Sequence, residues 1–136
     1  LNNMLSKVIY KGGLRTESVH LQSQSTILND APIDNQGKGE AFSPTDLLAN
    51  SLATCMFPIM GIKARDLELN IENSSADVIK VMVADPRRIG EIQITFQMQG
   101  VTDAKQQTIL ERVAMTCPVM ESLHPEIQKK ISFHWN

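Results

Sequence analysis

Residues 37–56, GKGEAFSPTDLLANSLATCM, run from a glycine-rich loop into a marked helix start and on to a cysteine. Ser43 is a capping residue, Pro44 suits a first helical turn, and Asp46 completes a capping-box pattern. A helix is therefore expected from this point to about Ala64. Between Leu47 and Ile62 it carries no charge, and its apolar side chains point in nearly every direction. Helices that are apolar all round are buried all round. A chain of 136 residues is short for wrapping one completely, which implies a partner subunit. Pro58, inside this helix, is expected to kink it or to remove one of its hydrogen bonds.

Upstream, residues 4–10 and 14–22 read as two strands joined at Lys11-Gly12-Gly13, and 25–29 as a third. The stretch NDAPIDNQGKGEAF, residues 29–42, reads as a long loop of the kind that often carries function. Downstream, residues 77–84 and 91–99 are strands turned by DPRRIG. In the second, Ile92, Ile94, Phe96 and Met98 alternate with Glu91, Gln93, Thr95 and Gln97, the pattern of a half-buried strand. A helix from Asp103 to about Met115, capped by Thr102, comes next, then a break at Cys117-Pro118 and a second short helix. The closing strand places Ile131, Phe133 and Trp135 on one face. The order β-β-β-α-β-β-α-α-β indicates the α+β class in a single domain spanning 1–136.

Composition narrows the function. Thirteen basic residues against fifteen acidic ones leave a net charge of −2, so no basic excess points to nucleic acid. No stretch reaches the roughly 18 apolar residues that cross a bilayer, and no secretory leader is visible in LNNMLSKVIYKGG. Neither membrane nor nucleic acid is expected as a partner. His20, His124 and His134 share no ligand spacing with each other or with the cysteines, so no metal is expected. No phosphate-binding or dinucleotide loop is present, and no cofactor is expected. The two cysteines lie too far apart for a CxxC motif, and a reducing, cytoplasmic setting follows.

The chemistry that remains belongs to sulfur. Cys55 shares a helical stripe with Leu48, Leu52, Ile59 and Ile62. It reads either as a small buried hydrophobe or as a nucleophile at the floor of an apolar pocket. A free thiol with a pKa of about 8.5 is only slightly ionised at neutral pH, so a nucleophile here needs an adjacent cation. Cys117 stands at a helix N-terminus, where backbone N–H groups favour a thiolate, or is a cap without redox duty. Arg15 shares a pleat face with Glu17, Val19 and Leu21. It is either an exposed strand-end charge or an inward arginine needing Glu17, Glu40, Asp46 or a thiolate as partner.

GKGEAFSPTDLLANSLATCM resembles the first-cysteine segment of the OsmC/Ohr family, and MTCPVMESLHPEI, residues 115–127, resembles the second. KVMVADPRRIGEI and the terminal ISFHW also look like a branch of that family, so the resemblance covers nearly the whole chain in order. It implies an intertwined homodimer with a long buried cysteine-bearing helix. It further implies that Cys55 attacks an organic hydroperoxide, that Cys117 resolves the sulfenic acid as a disulfide, and that a dithiol reductant restores the pair. By the same resemblance Arg15 activates the thiolate while a loop acid holds the arginine. The position after the helix-start proline, where organic-hydroperoxide-type relatives carry that acid, is Thr45 here; Asp46 and Glu40 are the nearby acids. The expected function is thus a thiol peroxidase for organic hydroperoxides. The alternative is a non-enzymatic dimer that binds a hydrophobic ligand or serves as a redox switch.

Overall fold

The computed structural model describes residues 3–136. Its order is three strands, a 3-10 turn, a long helix, two strands, two helices and a last strand, the α+β class that the sequence implies. Contacts gather into two compact units, Leu1–Leu47 and Leu48–Asn136, within what reads along the sequence as one domain.

The first unit is an antiparallel sheet of β1 (Ser6–Gly12), β2 (Arg15–His20) and β3 (Thr26–Asp30) in sequence order. Gly13 turns β1 into β2 with a φ of +62°, a value open to glycine at little cost. The register pairs Arg15 directly with Asp30 and Glu17 with Leu28. β3 thus runs one residue further than the sequence suggests, and Asp30, expected at the start of a loop, is a strand residue. Among its described residues this unit has no apolar core. Its buried residues are Asn29, Asp30 and Ser43, while Val8, Tyr10, Ile27, Leu28 and Phe42 are exposed.

α1 (Pro44–Asp66) begins as its cap pattern indicates. The Ser43 N–H donates to Asp46 Oδ2 at 3.0 Å, and the Asp46 N–H donates to Ser43 Oγ at 3.0 Å. The helix continues through Pro58 to Asp66. Contrary to the sequence-based expectation, α1 is long and apolar enough by composition to cross a membrane, with a mean hydropathy of 1.3 over its best window. It is not buried all round either: Ala49, Leu52, Ala53, Met56, Met60 and Ala64 enter the core, while Leu48 and Ile62 are 45% and 51% exposed.

The second unit packs that buried stripe with a sheet of β4 (Ser75–Val83), β5 (Arg88–Met98) and β6 (Gln128–Trp135). β4 and β5 are antiparallel, β5 and β6 parallel. Residues 88–90, expected in a turn, open β5 instead, and a register shift between Val81 and Met82 absorbs the difference. Ile92, Ile94, Phe96 and Met98 are fully buried on one face of β5, as their alternation requires. Phe96 stacks on Phe133 at 4.9 Å and meets Phe57 edge-on at 5.0 Å between ring centroids. α2 (Ala104–Ala114) is capped by Asp103, whose carboxylate accepts from the Gln106 N–H at 2.9 Å, and not by Thr102. The short α3 (Pro118–Ser122) follows.

Candidate functional site

The second unit brings the two cysteines together. Cys55 lies near enough to Cys117 to be among the causes that raise its thiol, and both are free thiols. Cys55 comes from the middle of α1, at the border between its buried and exposed stripes, and is partly accessible. Leu52 beside it is fully buried, so the stripe read from the sequence divides between core and surface. Cys117 is 0% exposed and caps α3, its sulfur accepting from the Met120 N–H at 3.3 Å. Pro118 at the first position of α3 keeps Cys117 extended, which aims the sulfur back over the helix start.

The electrostatics of Cys117 correct the expectation that its helix end favours a thiolate. Burial pushes its thiol above the ordinary value, and the hydrogen bond and charge of Cys55 push the same way. The Met120 and Val119 N–H groups act in the predicted direction and are outweighed. Cys117 is therefore a protonated thiol near a more accessible one.

The first unit holds Arg15 in a clamp. Arg15 Nε donates to Asp30 Oδ1 at 2.7 Å, and Nη2 donates to Asp30 Oδ2 at 2.9 Å and to Glu40 Oε1 at 3.0 Å. The Asp30 side chain is 0% exposed, that of Arg15 26% and that of Glu40 66%. Paired and hydrogen-bonded in this way, the Asp30 carboxyl lies below its ordinary range, with the Arg15 hydrogen bond as first cause and the Glu40 N–H adding to it. Arg15 is held charged more firmly than usual, again first through Asp30. Such two-point pairing fixes the plane of the guanidinium, which an ammonium could not match.

The loop between β3 and α1 folds to make this clamp. A Cβ on Gly37 would lie 1.7 Å from the Ala31 carbonyl oxygen, so only glycine permits the close return of the chain. Gly37 N–H donates to the Pro32 carbonyl at 2.8 Å, and Gly39 N–H to that of Ala31 at 3.3 Å. The next residue, Glu40, then donates its own N–H to Asp30 Oδ2 at 3.0 Å.

Of the candidate residues, Cys55 and Cys117 come near each other, Glu40 reaches Arg15, and Asp46 sits in the helix cap. Asp30, the arginine's main partner, is absent from the sequence reading. Opposite charges at facing positions of a hairpin were the available signal, but the register that makes them face was not fixed by any short turn. Elsewhere in the second unit an open depression of about 600 Å³ runs along the C-terminal half of α1, lined by Phe57, Gly61, Leu69 and Ile71 among others. Neither cysteine lines it.

The sequence matches the family of OsmC-like proteins over residues 37–132. No protein of curated function matches it. Among solved structures, a Psychrobacter arcticus 273-4 protein named for a supposed osmotic stress induced and detoxification response role is 54% identical, with a TM-score of 0.94 over 98% of both chains. Two further structures share the fold at low identity. An organic hydroperoxide resistance protein from Legionella pneumophila is 15% identical, with a TM-score of 0.74 over 98% of each chain. Another from Elizabethkingia anophelis, with thiocyanate bound, is 14% identical, with a TM-score of 0.76 over 100% of this chain and 98% of that one.

Proposed function

The chain belongs to the OsmC-like protein family, and from that membership we propose that it is a thiol peroxidase for organic hydroperoxides. The observation that carries the reading is the nearness of two free thiols 62 positions apart in sequence, one partly accessible and one buried. In the reaction, the Cys55 thiolate attacks the outer peroxide oxygen. The O–O bond breaks, the alcohol leaves with a proton, and the sulfur becomes a sulfenic acid. The Cys117 thiol then attacks that sulfur, water departs, and a disulfide forms. An external dithiol takes the oxidation in turn and restores both thiols.

Cys55 suits the first step because it is the accessible member of the pair, and Cys117, the buried thiol near it, takes the second, giving up its proton as it attacks. Arg15, with Asp30 and Glu40, is the cation assigned to the Cys55 thiolate by the family resemblance. The apolar neighbours Leu52, Met56 and Ile59 favour an organic substrate over hydrogen peroxide.

The active form in this proposal is a cytoplasmic homodimer. In support, the described residues of the first unit that are buried are all polar, and a three-stranded sheet packed that way needs a cover. The half-exposed Leu48 and Ile62 on α1 call for one too.

The test is steady-state consumption of cumene or tert-butyl hydroperoxide with a dithiol donor, comparing wild type with Cys55→Ser. Loss of turnover in the variant is expected; equal rates in both would end the proposal.

A further inference from the structure

We propose that Asp30 is the positioning residue for Arg15, turning the guanidinium so that Nη1 is the end presented to the Cys55 sulfur. This role rests on the proposed function, in which the Arg15 charge favours the Cys55 thiolate.

A guanidinium carries five N–H groups in one rigid plane. Three of them are committed here: Nε and Nη2 donate to the two oxygens of Asp30, and Nη2 donates again to Glu40. Among the described residues nothing accepts from Nη1. Two bonds to one carboxylate fix the plane and its rotation, and they fix the direction of the remaining end as well. The side chain is partly exposed, so the guanidinium is not sealed in.

Asp30 can set this direction because it is itself held. The register of β2 and β3 places it opposite Arg15, and its side chain has no exposed surface. It also accepts a third N–H, from the Glu40 backbone. Glu40 reaches Arg15 with one bond from an exposed loop side chain, where water competes for it. The two acids therefore differ in what they do: the strand acid orients the cation, and the loop acid adds charge. The family resemblance implies a loop acid as the arginine's holder; the geometry gives that task to a buried strand acid. Arg15→Lys would keep the charge and lose the orientation, since an ammonium has neither the matching edge nor a fixed opposite end.

The test reads Cys55 directly, without peroxide, as its rate of alkylation by iodoacetamide at pH 7 and at pH 9 in reduced protein. The thiolate is the reacting form, so a cation that favours it raises the rate at pH 7 far more than at pH 9. Arg15→Ala is expected to lower the rate at pH 7 by about 10-fold or more, the effect of losing a neighbouring cation. Asp30→Asn and Arg15→Lys are expected to lose most of that factor, with the rate at pH 9 little changed. Glu40→Gln is expected to lose less than about fivefold, the span of an exposed ion pair. Circular dichroism and urea unfolding establish that each variant is folded; where Asp30→Asn is not, Arg15→Lys decides the matter. Wild-type rates in Arg15→Ala would overturn the assignment of Arg15 to Cys55 itself. A loss in Arg15→Ala beside wild-type rates in Asp30→Asn or Arg15→Lys overturns the positioning role alone. So does a loss in Glu40→Gln as large as that in Asp30→Asn.

Discussion

Asp30 faces Arg15 across the paired strands β2 and β3 and, with no exposed side-chain surface, accepts both its Nε and its Nη2. The same carboxylate accepts the backbone N–H of Glu40, so one buried group orients the cation and anchors the loop. The exposed Glu40 side chain adds a single further bond.

This clamp sets an acid limb on stability. Folding lowers the Asp30 carboxyl below its ordinary value of 3.8, so its contribution is present above that pH and is lost as pH falls through the lowered value. Asp30→Asn is expected to be less stable than wild type at pH 7 and at pH 5, with the difference shrinking below about pH 3.8. Urea unfolding at several pH values measures it. A difference that stays constant to the acid end would show that Asp30 does not act through its charge.

The thiols are expected to differ in reactivity. With reduced protein near neutral pH, iodoacetamide should modify Cys55 first, because Cys117 is buried and its thiol is held protonated. The sign of the linkage follows: with the folded value raised, stability from the neutral Cys117 is complete below the ordinary 9.0 and fades as pH rises beyond it. Cys117→Ser keeps a capping atom, whereas Cys117→Ala loses the bond to the Met120 N–H and about 0.5–2 kcal/mol. Peptide mapping of the alkylated protein and denaturant curves check the two parts.

What the sequence made legible was local. Ser43, Pro44 and Asp46 lie within one turn, and the helix start they mark is where the structure has it. The alternation in β5 likewise exposes its buried face, since strand side chains change sides at every residue. What stayed hidden depends on distance along the chain. Asp30 meets Arg15 only through a sheet register, and Cys55 comes near Cys117 only once the core has formed. Energy balances were also hidden. The helix-end N–H groups do favour a Cys117 thiolate, but burial prevails over them. At α2 the cap fell to Asp103 and not Thr102, a one-residue shift of the kind helix ends commonly allow.

Removal of the α1 cap should cost stability without touching sulfur. Ser43→Ala breaks the bond that satisfies the Asp46 N–H and is expected to lose about 0.5–2 kcal/mol, while Ser43→Thr loses less. Urea midpoints at neutral pH measure this. An unchanged midpoint in the alanine variant would remove the capping box from the account of α1.

The proposed homodimer has its own signature. Leu48→Asp and Ile62→Asp place charges on the half-exposed stripe of α1, which in the monomer perturbs little. If a partner covers that stripe, both variants shift the molecule toward monomer in sedimentation velocity. Wild-type protein that sediments as a monomer at every concentration contradicts the homodimer.

The measurement closest to the central claim is a single turnover. Reduced protein is mixed with one equivalent of cumene hydroperoxide, quenched with an alkylating agent and mapped by mass spectrometry. The expected product is an intramolecular Cys55–Cys117 disulfide formed with one equivalent of alcohol and reversed by a dithiol, with a sulfenic acid persisting at Cys55 in Cys117→Ser. Recovery of both cysteines as alkylated thiols, with the hydroperoxide still intact, would contradict it.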